Sequence, residues 1–290
     1  MYTTLIPAAQ LQTLRASGTP CMVFDCSFDL SQPDAGPAMY AQSHIPGAVY
    51  AHLDSALSAK GERAHTGAMS GGRHPLPARE AFAQWLSAVG LENTMQAVVY
   101  DRQGANYCGR LWWMLKWLGH DAVAVLNGGL QAWEASSGAV ETGAPSAFKH
   151  SVNKFELKSA LREWVSTNEL APQVGHPNLC LIDARGAARY RGEVEPLDPV
   201  AGHIPGALNR PFTENLNAEG FFKSAEVLRA EFEKLLAGRD PATVVHHCGS
   251  GVSTVPNILA MELAGLGITR LYPGSWSEWC NTPGLPCAKG

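Results

Sequence analysis

His44-Ile45-Pro46-Gly47-Ala48 returns unchanged as His203-Ile204-Pro205-Gly206-Ala207, an offset of 203 − 44 = 159. In each copy Pro suits position i+1 of a type II turn and Gly suits i+2, where φ must be positive. An apolar run ending in Asp precedes each turn: Val23-Phe24-Asp25, then Leu181-Ile182-Asp183, at an offset of 183 − 25 = 158. Further on, Val98-Val99 aligns with Val244-Val245, Gly128 with Gly274 and Trp133 with Trp279, all at an offset of 146. One shared pentapeptide would prove little. Five landmarks in the same order describe one architecture used twice.

Each half alternates strand and helix. Residues 97–101 and 242–247 are short, β-branched runs of the buried-strand kind. Tyr107 to Leu118 sets Leu111, Met114, Leu115 and Leu118 at helical spacing, and Ser253 to Leu263 does so with Ile258, Leu259 and Leu263. Ser253 or Thr254 offers a cap to that second helix, and Pro256 is tolerated only in its first turn. This alternation predicts the α/β class: two tandem domains, each a mostly parallel sheet flanked by helices. A length of 290 residues suits two domains. The boundaries fall at 1–140 and 156–290, with a linker at 141–155 in a stretch rich in Gly, Ala, Ser and Pro.

The composition, 46% hydrophobic and 17% charged, supports packed cores and excludes a disordered chain. A net charge of −4 with no basic run points away from nucleic acid and from membrane surfaces. No apolar stretch approaches the ~18 residues of a membrane span. The first residues lack a basic segment followed by an apolar one, so no signal peptide is expected. Seven cysteines, an odd number with no CxxC pair, argue for reduced thiols in a cytoplasm rather than disulfides or a zinc site. No metal or organic cofactor is expected.

The halves differ at one decisive place. After Val244-Val245-His246-His247 comes Cys248-Gly249-Ser250-Gly251-Val252-Ser253 and then a helix; the same register in the first half holds Arg102. Two glycines let successive N–H groups converge into an anion-binding nest, and the helix behind adds positive potential. Such surroundings favour a thiolate, so Cys248 reads as a nucleophile. Adjacent strand residues point to opposite faces, so His246 and His247 read as core or supporting residues rather than as bases for Cys248. A phosphatase would need an arginine after the five residues that follow the cysteine. That place holds Thr254, which leaves a phosphate dianion without a guanidinium.

The repeated turns, the strand–Cys loop–helix and the closing Pro273-Gly274-Ser275-Trp276-Ser277-Glu278-Trp279 resemble the tandem rhodanese sulfurtransferases over essentially the whole chain. The Cys-Gly-Ser-Gly-Val loop is similar to that of the 3-mercaptopyruvate branch. The resemblance implies a sulfurtransferase that carries sulfur from this donor as a persulfide on Cys248. The acceptor would be a thiol, such as that of a thioredoxin-like protein, or cyanide. Thiosulfate as donor and a non-enzymatic sulfur-relay or regulatory module are the alternatives. Gly249, Gly251, Val252 and Ser253 would cradle the persulfide, while Ser250 would donate to the substrate carbonyl or relay a proton. Arg189, in Ala188-Arg189-Tyr190-Arg191, matches the family's substrate-binding arginine. His74 and Asp54 match positions that face the cysteine across the domain cleft in the family. There His74 would protonate the enolate or anchor the donor, and Asp54 would orient Ser250 or a proton relay.

Arg185 reads as structural. His44 and His203 occur in both halves although only one holds the cysteine, so they serve the fold, and Trp112, Trp113 and Trp117 pack. One departure stands out. A second arginine is expected before the second His-Ile-Pro-Gly, where Glu195-Pro196-Leu197-Asp198-Pro199 has Leu197. The sequence also shows no cation in Gly249-Ser250-Gly251, which favours mercaptopyruvate over dianionic thiosulfate.

Overall fold

The structure, a computed structural model, describes residues 1–60, 67–144 and 154–290. Most of the expected linker therefore lies outside the described residues. The chain divides into two compact units. One comprises Met1–Gly67, Pro77–Leu161 and Glu219–Phe221; the other comprises Ala68–Leu76, Arg162–Ala218 and Phe222–Gly290.

In the first unit the strands are β1 (Leu5–Ile6), β2 (Cys21–Asp25), β3 (Val49–Tyr50), β4 (Gln96–Tyr100) and β5 (Val123–Leu126). Its helices are α1 (Ala8–Ala16), α2 (Ala35–Gln42), α3 (Arg79–Val89), α4 (Cys108–Trp117) and α5 (Gly129–Ala135). The strands pair in parallel in the order β1-β5-β4-β2-β3. In the second unit β6 (Cys180–Asp183), β7 (Leu208–Asn209), β8 (Val244–His247) and β9 (Arg270–Leu271) pair in parallel in the order β7-β6-β8-β9. A parallel bridge from Trp164 to Leu271 extends that sheet beyond β9, where β1 stands beside β5 in the first unit. Helices α6 (Thr167–Leu170), α7 (Ala187–Tyr190), α8 (Ala225–Leu236), α9 (Val255–Leu263) and α10 (Ser275–Trp279) complete the unit. The repeat is thus one strand order used twice. No helix among the described residues is long and apolar enough to cross a membrane.

β4 and β8 are buried along their whole lengths, as central strands of parallel sheets must be. β8 begins at Val244 rather than 242, because Pro241–Thr243 forms a 3₁₀ turn with the Ala242 N–H bound to Asp240 Oδ1 at 2.9 Å. α9 likewise starts at Val255. Thr254, one of the two capping residues expected, takes the cap position in a helical conformation and makes no side-chain capping bond. The repeated turns are type II: Ala48 N–H donates to Ile45 O at 2.9 Å and Ala207 N–H to Ile204 O at 3.1 Å, with φ of 71° at Gly47 and 79° at Gly206. His44 stacks on Tyr40 with ring centres 3.7 Å apart, and His203 stacks on Tyr190 at 3.9 Å. The two tyrosine hydroxyls donate to Ala48 O and Ala207 O, each at 2.6 Å. These histidines hold the turn in both units. Trp112, Trp113 and Trp117 are buried and pack, as expected.

The loop from β4 into α4 is closed on itself. Asp101 Oδ1 accepts the N–H groups of Gln103 (2.9 Å) and Ala105 (3.1 Å), and Oδ2 accepts those of Tyr107 (2.8 Å) and Cys108 (2.9 Å). Arg102 binds Asp25, Ser27 Oγ and the carbonyls of Met39 and Ser43. The first unit therefore supplies both the anion and the cation of its own loop. Asp101→Ala would leave four N–H donors, three of them buried, without their acceptor, and we expect it to cost about 3–4 kcal/mol of stability, measured by urea unfolding. A cost below about 1 kcal/mol would show that the loop is not held in this way.

Candidate active site

The loop from β8 into α9 has the same place in the second unit but different bonding. Cys248 is 2% exposed, and its N–H donates to Ser275 Oγ at 3.1 Å. The Cys248 and Gly249 carbonyls accept the N–H groups of Trp276 (3.0 Å) and Ser277 (2.9 Å). The closing Pro-Gly-Ser-Trp motif thus fixes the cysteine backbone. Gly251 has φ of 72°, and a Cβ on it would lie 2.4 Å from Pro273 O. Both facts demand glycine.

Where the first unit has Asp101, the equivalent residue here is His247. The loop therefore lacks a carboxylate of its own. The N–H groups of Gly249, Ser250, Val252, Ser253 and Thr254 have no acceptor among the described residues. They belong to the turn that follows Cys248 and leads into a nine-residue helix. An anion bonded to Cys248 would meet donors already directed by the backbone.

Ser250 is buried, and its Oγ lies 2.7 Å from Nδ1 of His74, which is 1% exposed. His74 belongs to Ala68–Leu76, the segment that packs with the second unit. That segment is tied to α10. Gly71 N–H donates to Glu278 Oε2 at 3.2 Å, and Arg73 N–H donates to Ser277 Oγ at 2.9 Å. Gly72 packs so tightly that a Cβ would lie 2.5 Å from Gly274 O. The sequence could not show this pairing, because 176 residues, more than one full repeat, separate His74 from Ser250.

Arg189, on α7, pairs with Glu195 at 2.7 Å and with Asp198 at 3.4 Å. Its Nη atoms lie 3.4 and 3.6 Å from where a Cβ on Gly249 would stand, and Arg73 Nη2 lies 3.3 Å from the same point. Gly249-Ser250-Gly251 holds no cation of its own, but the fold places two guanidinium groups, the expected Arg189 and also Arg73, against Gly249. Leu197 is 42% exposed. Asp54 lies in the first unit, where its Oδ1 pairs with Lys60 Nζ at 2.6 Å.

Arg185 is structural, as expected. It grips Asp183 at 2.6–3.1 Å, donates to Gly202 O at 2.7 Å and lies over Trp276. Burial works against the charged Asp183, but His247 and Arg185 overcome it and hold the carboxyl below the usual range. Burial also opposes the Arg185 charge, and Asp183, Glu195 and Cys248 together raise its pKa. His246 and His247 are fully buried, which pushes His246 down to about 3 and lowers His247 as well. His246 Nε2 lies 3.2 Å from Met261 Sδ, so it belongs to the core. Burial raises the thiol pKa of Cys21, Cys26, Cys108, Cys180, Cys280 and Cys287.

The Rhodanese-like domain matches this chain twice, over residues 8–136 and 166–282, and the chain belongs to that family. Among its relatives, a Pseudomonas aeruginosa protein named "Probable 3-mercaptopyruvate sulfurtransferase" is 42% identical over 291 residues, covering 100% of both chains. The Arabidopsis thaliana protein named "Thiosulfate/3-mercaptopyruvate sulfurtransferase 2" is 33% identical over 91% of this chain and 80% of its own. The solved structure of 3-mercaptopyruvate sulfurtransferase from Leishmania major superposes with a TM-score of 0.82 at 31% identity, over 98% of this chain and 76% of that one.

Proposed function

We propose that this chain is a sulfurtransferase that takes sulfur from 3-mercaptopyruvate as a persulfide on Cys248 and passes it to a thiol or to cyanide. The observation that carries this reading is the contrast between the two loops. Asp101 satisfies the N–H groups of one, whereas the other has a cysteine and no internal anion. The relatives named for mercaptopyruvate support the choice of donor.

In the proposed reaction the Cys248 thiolate attacks the donor's sulfur. An S–S bond forms, the C–S bond breaks, and its electron pair passes to the donor's methylene carbon as the enolate of pyruvate. The enolate is then protonated to pyruvate, and the donor's own thiol proton leaves the outer sulfur to restore the one the site gave up, so that the persulfide is left as Cys–S–S⁻. Ser250 would donate its O–H to the carbonyl oxygen as negative charge grows there, and His74, 2.7 Å away, would supply the proton. Arg189 would bind the carboxylate. The loop N–H groups would hold the outer sulfur of Cys–S–S⁻ until a second thiolate attacks it and releases Cys248. The acceptor suited to this chemistry is a small thiol, a thioredoxin-like protein or cyanide. Seven free cysteines suit a reducing cytoplasm.

The two guanidinium groups beside Gly249 also favour some use of thiosulfate, a compact dianion. Comparing kcat/KM for the two donors tests the choice. Mercaptopyruvate is expected to be at least about tenfold better, a difference of about 1.4 kcal/mol in transition-state binding; thiosulfate as the better donor would overturn the reading. Arg189→Ala is expected to lower kcat/KM for mercaptopyruvate about ten- to a hundredfold, the value of a charged hydrogen bond. Unchanged kinetics in that variant would remove Arg189 from the site.

A further inference from the structure

We propose that Arg73 is the second arm of the donor-binding clamp, in place of the arginine that position 197 lacks. The inference deepens the proposed function and rests on it. An arginine pair suits a keto-acid carboxylate because each guanidinium offers planar, fixed N–H donors. Leu197 can offer none. Arg73 and Arg189 instead converge on one point, all three nearest Nη atoms lying 3.3–3.6 Å from the Cβ position of Gly249.

Both also share one carboxylate. Arg73 Nη1 binds Asp198 Oδ1 at 2.8 Å, Arg73 Nη2 binds Asp198 Oδ2 at 3.3 Å, and Arg189 Nη2 binds the same Oδ2 at 3.4 Å. Asp198, with a side chain only 3% exposed, aligns the two guanidinium groups. Each arginine side chain remains 21% exposed, so both can still meet a ligand. The main chain of Arg73 is fixed by the bond to Ser277 Oγ, and the next residue, His74, reaches Ser250. One short segment would therefore bring both a carboxylate-binding cation and the proton donor to the reacting centre. Arg73 acts on donor binding alone in this account, and the transfer from persulfide to acceptor does not use it.

The test measures steady-state kinetics with mercaptopyruvate, and pyruvate binding by calorimetry, for the full chain and for Arg73→Ala, Arg73→Lys and Arg73→Ala/Leu197→Arg. Arg73→Ala is expected to raise KM and weaken pyruvate binding roughly ten- to a hundredfold, with kcat changed less than about threefold. Arg73→Lys should recover part of the loss, because it keeps the charge but not the fork. Leu197→Arg in the Arg73→Ala background should recover part of it from the other side. In every variant, sulfur preloaded on Cys248 should pass to dithiothreitol at the parental rate. An unchanged KM and unchanged pyruvate binding in Arg73→Ala, with the parent active on mercaptopyruvate, would overturn the role of Arg73 alone. So would a loss confined to kcat. A parent that neither turns over mercaptopyruvate nor binds pyruvate would instead overturn the proposed function.

Discussion

Cys248→Ser is expected to lower sulfur transfer more than about 10⁴-fold, to background, in an assay of pyruvate release with cyanide as acceptor. A serine hydroxyl does not ionise near neutral pH, and an oxygen in its place cannot carry sulfur as a persulfide. The fold should survive, because Sγ and Oγ differ little in size and the bonds at this residue are made by its backbone to Ser275 and Trp276. Cys108→Ser is the matched control. Cys108 also stands at a helix start, but burial, with Asp101 beside it, keeps its thiol protonated, and it should be dispensable for transfer. Activity retained in Cys248→Ser and lost in Cys108→Ser would reverse the assignment of the site.

The second large effect is expected at Gly251. A Cβ there meets Pro273 O at 2.4 Å, Pro273 Cα at 2.7 Å and Pro273 C at 2.9 Å, all backbone atoms that cannot swing aside. The residue also has φ of 72°, which costs an alanine about 1 kcal/mol or more before any clash. The loop must therefore move, and the N–H groups proposed to hold the persulfide must move with it. Loss of one such donor costs about 10²–10³-fold in comparable sites, so Gly251→Ala should lower kcat at least about a hundredfold. Gly47→Ala separates backbone strain from collision. Its φ is 71°, but nothing lies within 4 Å of the added Cβ. It should lose about 1 kcal/mol of stability and little activity. Near-parental activity in Gly251→Ala would mean that the loop geometry does not govern the chemistry.

The features read correctly from sequence are local. The type II turns need only Pro and Gly in adjacent places. The strand–loop–helix around Cys248 needs only a β-branched run, two glycines and the apolar spacing that follows. The repeat then multiplies each local signal by two. What escaped is what long-range packing decides. Arg73 stands next to His74 in the sequence, but nothing local reveals that Ser277 and Glu278 capture this segment and set its guanidinium beside Arg189. Leu197 was visible as a gap in the clamp; the residue proposed to fill it was not. The exchange of Asp101 for His247 was visible as well. Its meaning appears only in the hydrogen bonds, where one carboxylate accepts four N–H groups and the corresponding loop has none. Thr254 shows the limit of propensity: a good capping residue makes no cap where its backbone has already turned helical.

The measurement that bears most directly on the persulfide is the intact mass of the chain after incubation with mercaptopyruvate and no acceptor. The account predicts a gain of about one sulfur atom (~32 Da) as the covalent intermediate, on the peptide containing Cys248, removed when cyanide or a thiol is added. An enzyme that turns over but gains no sulfur, or gains it on another cysteine, would contradict the account.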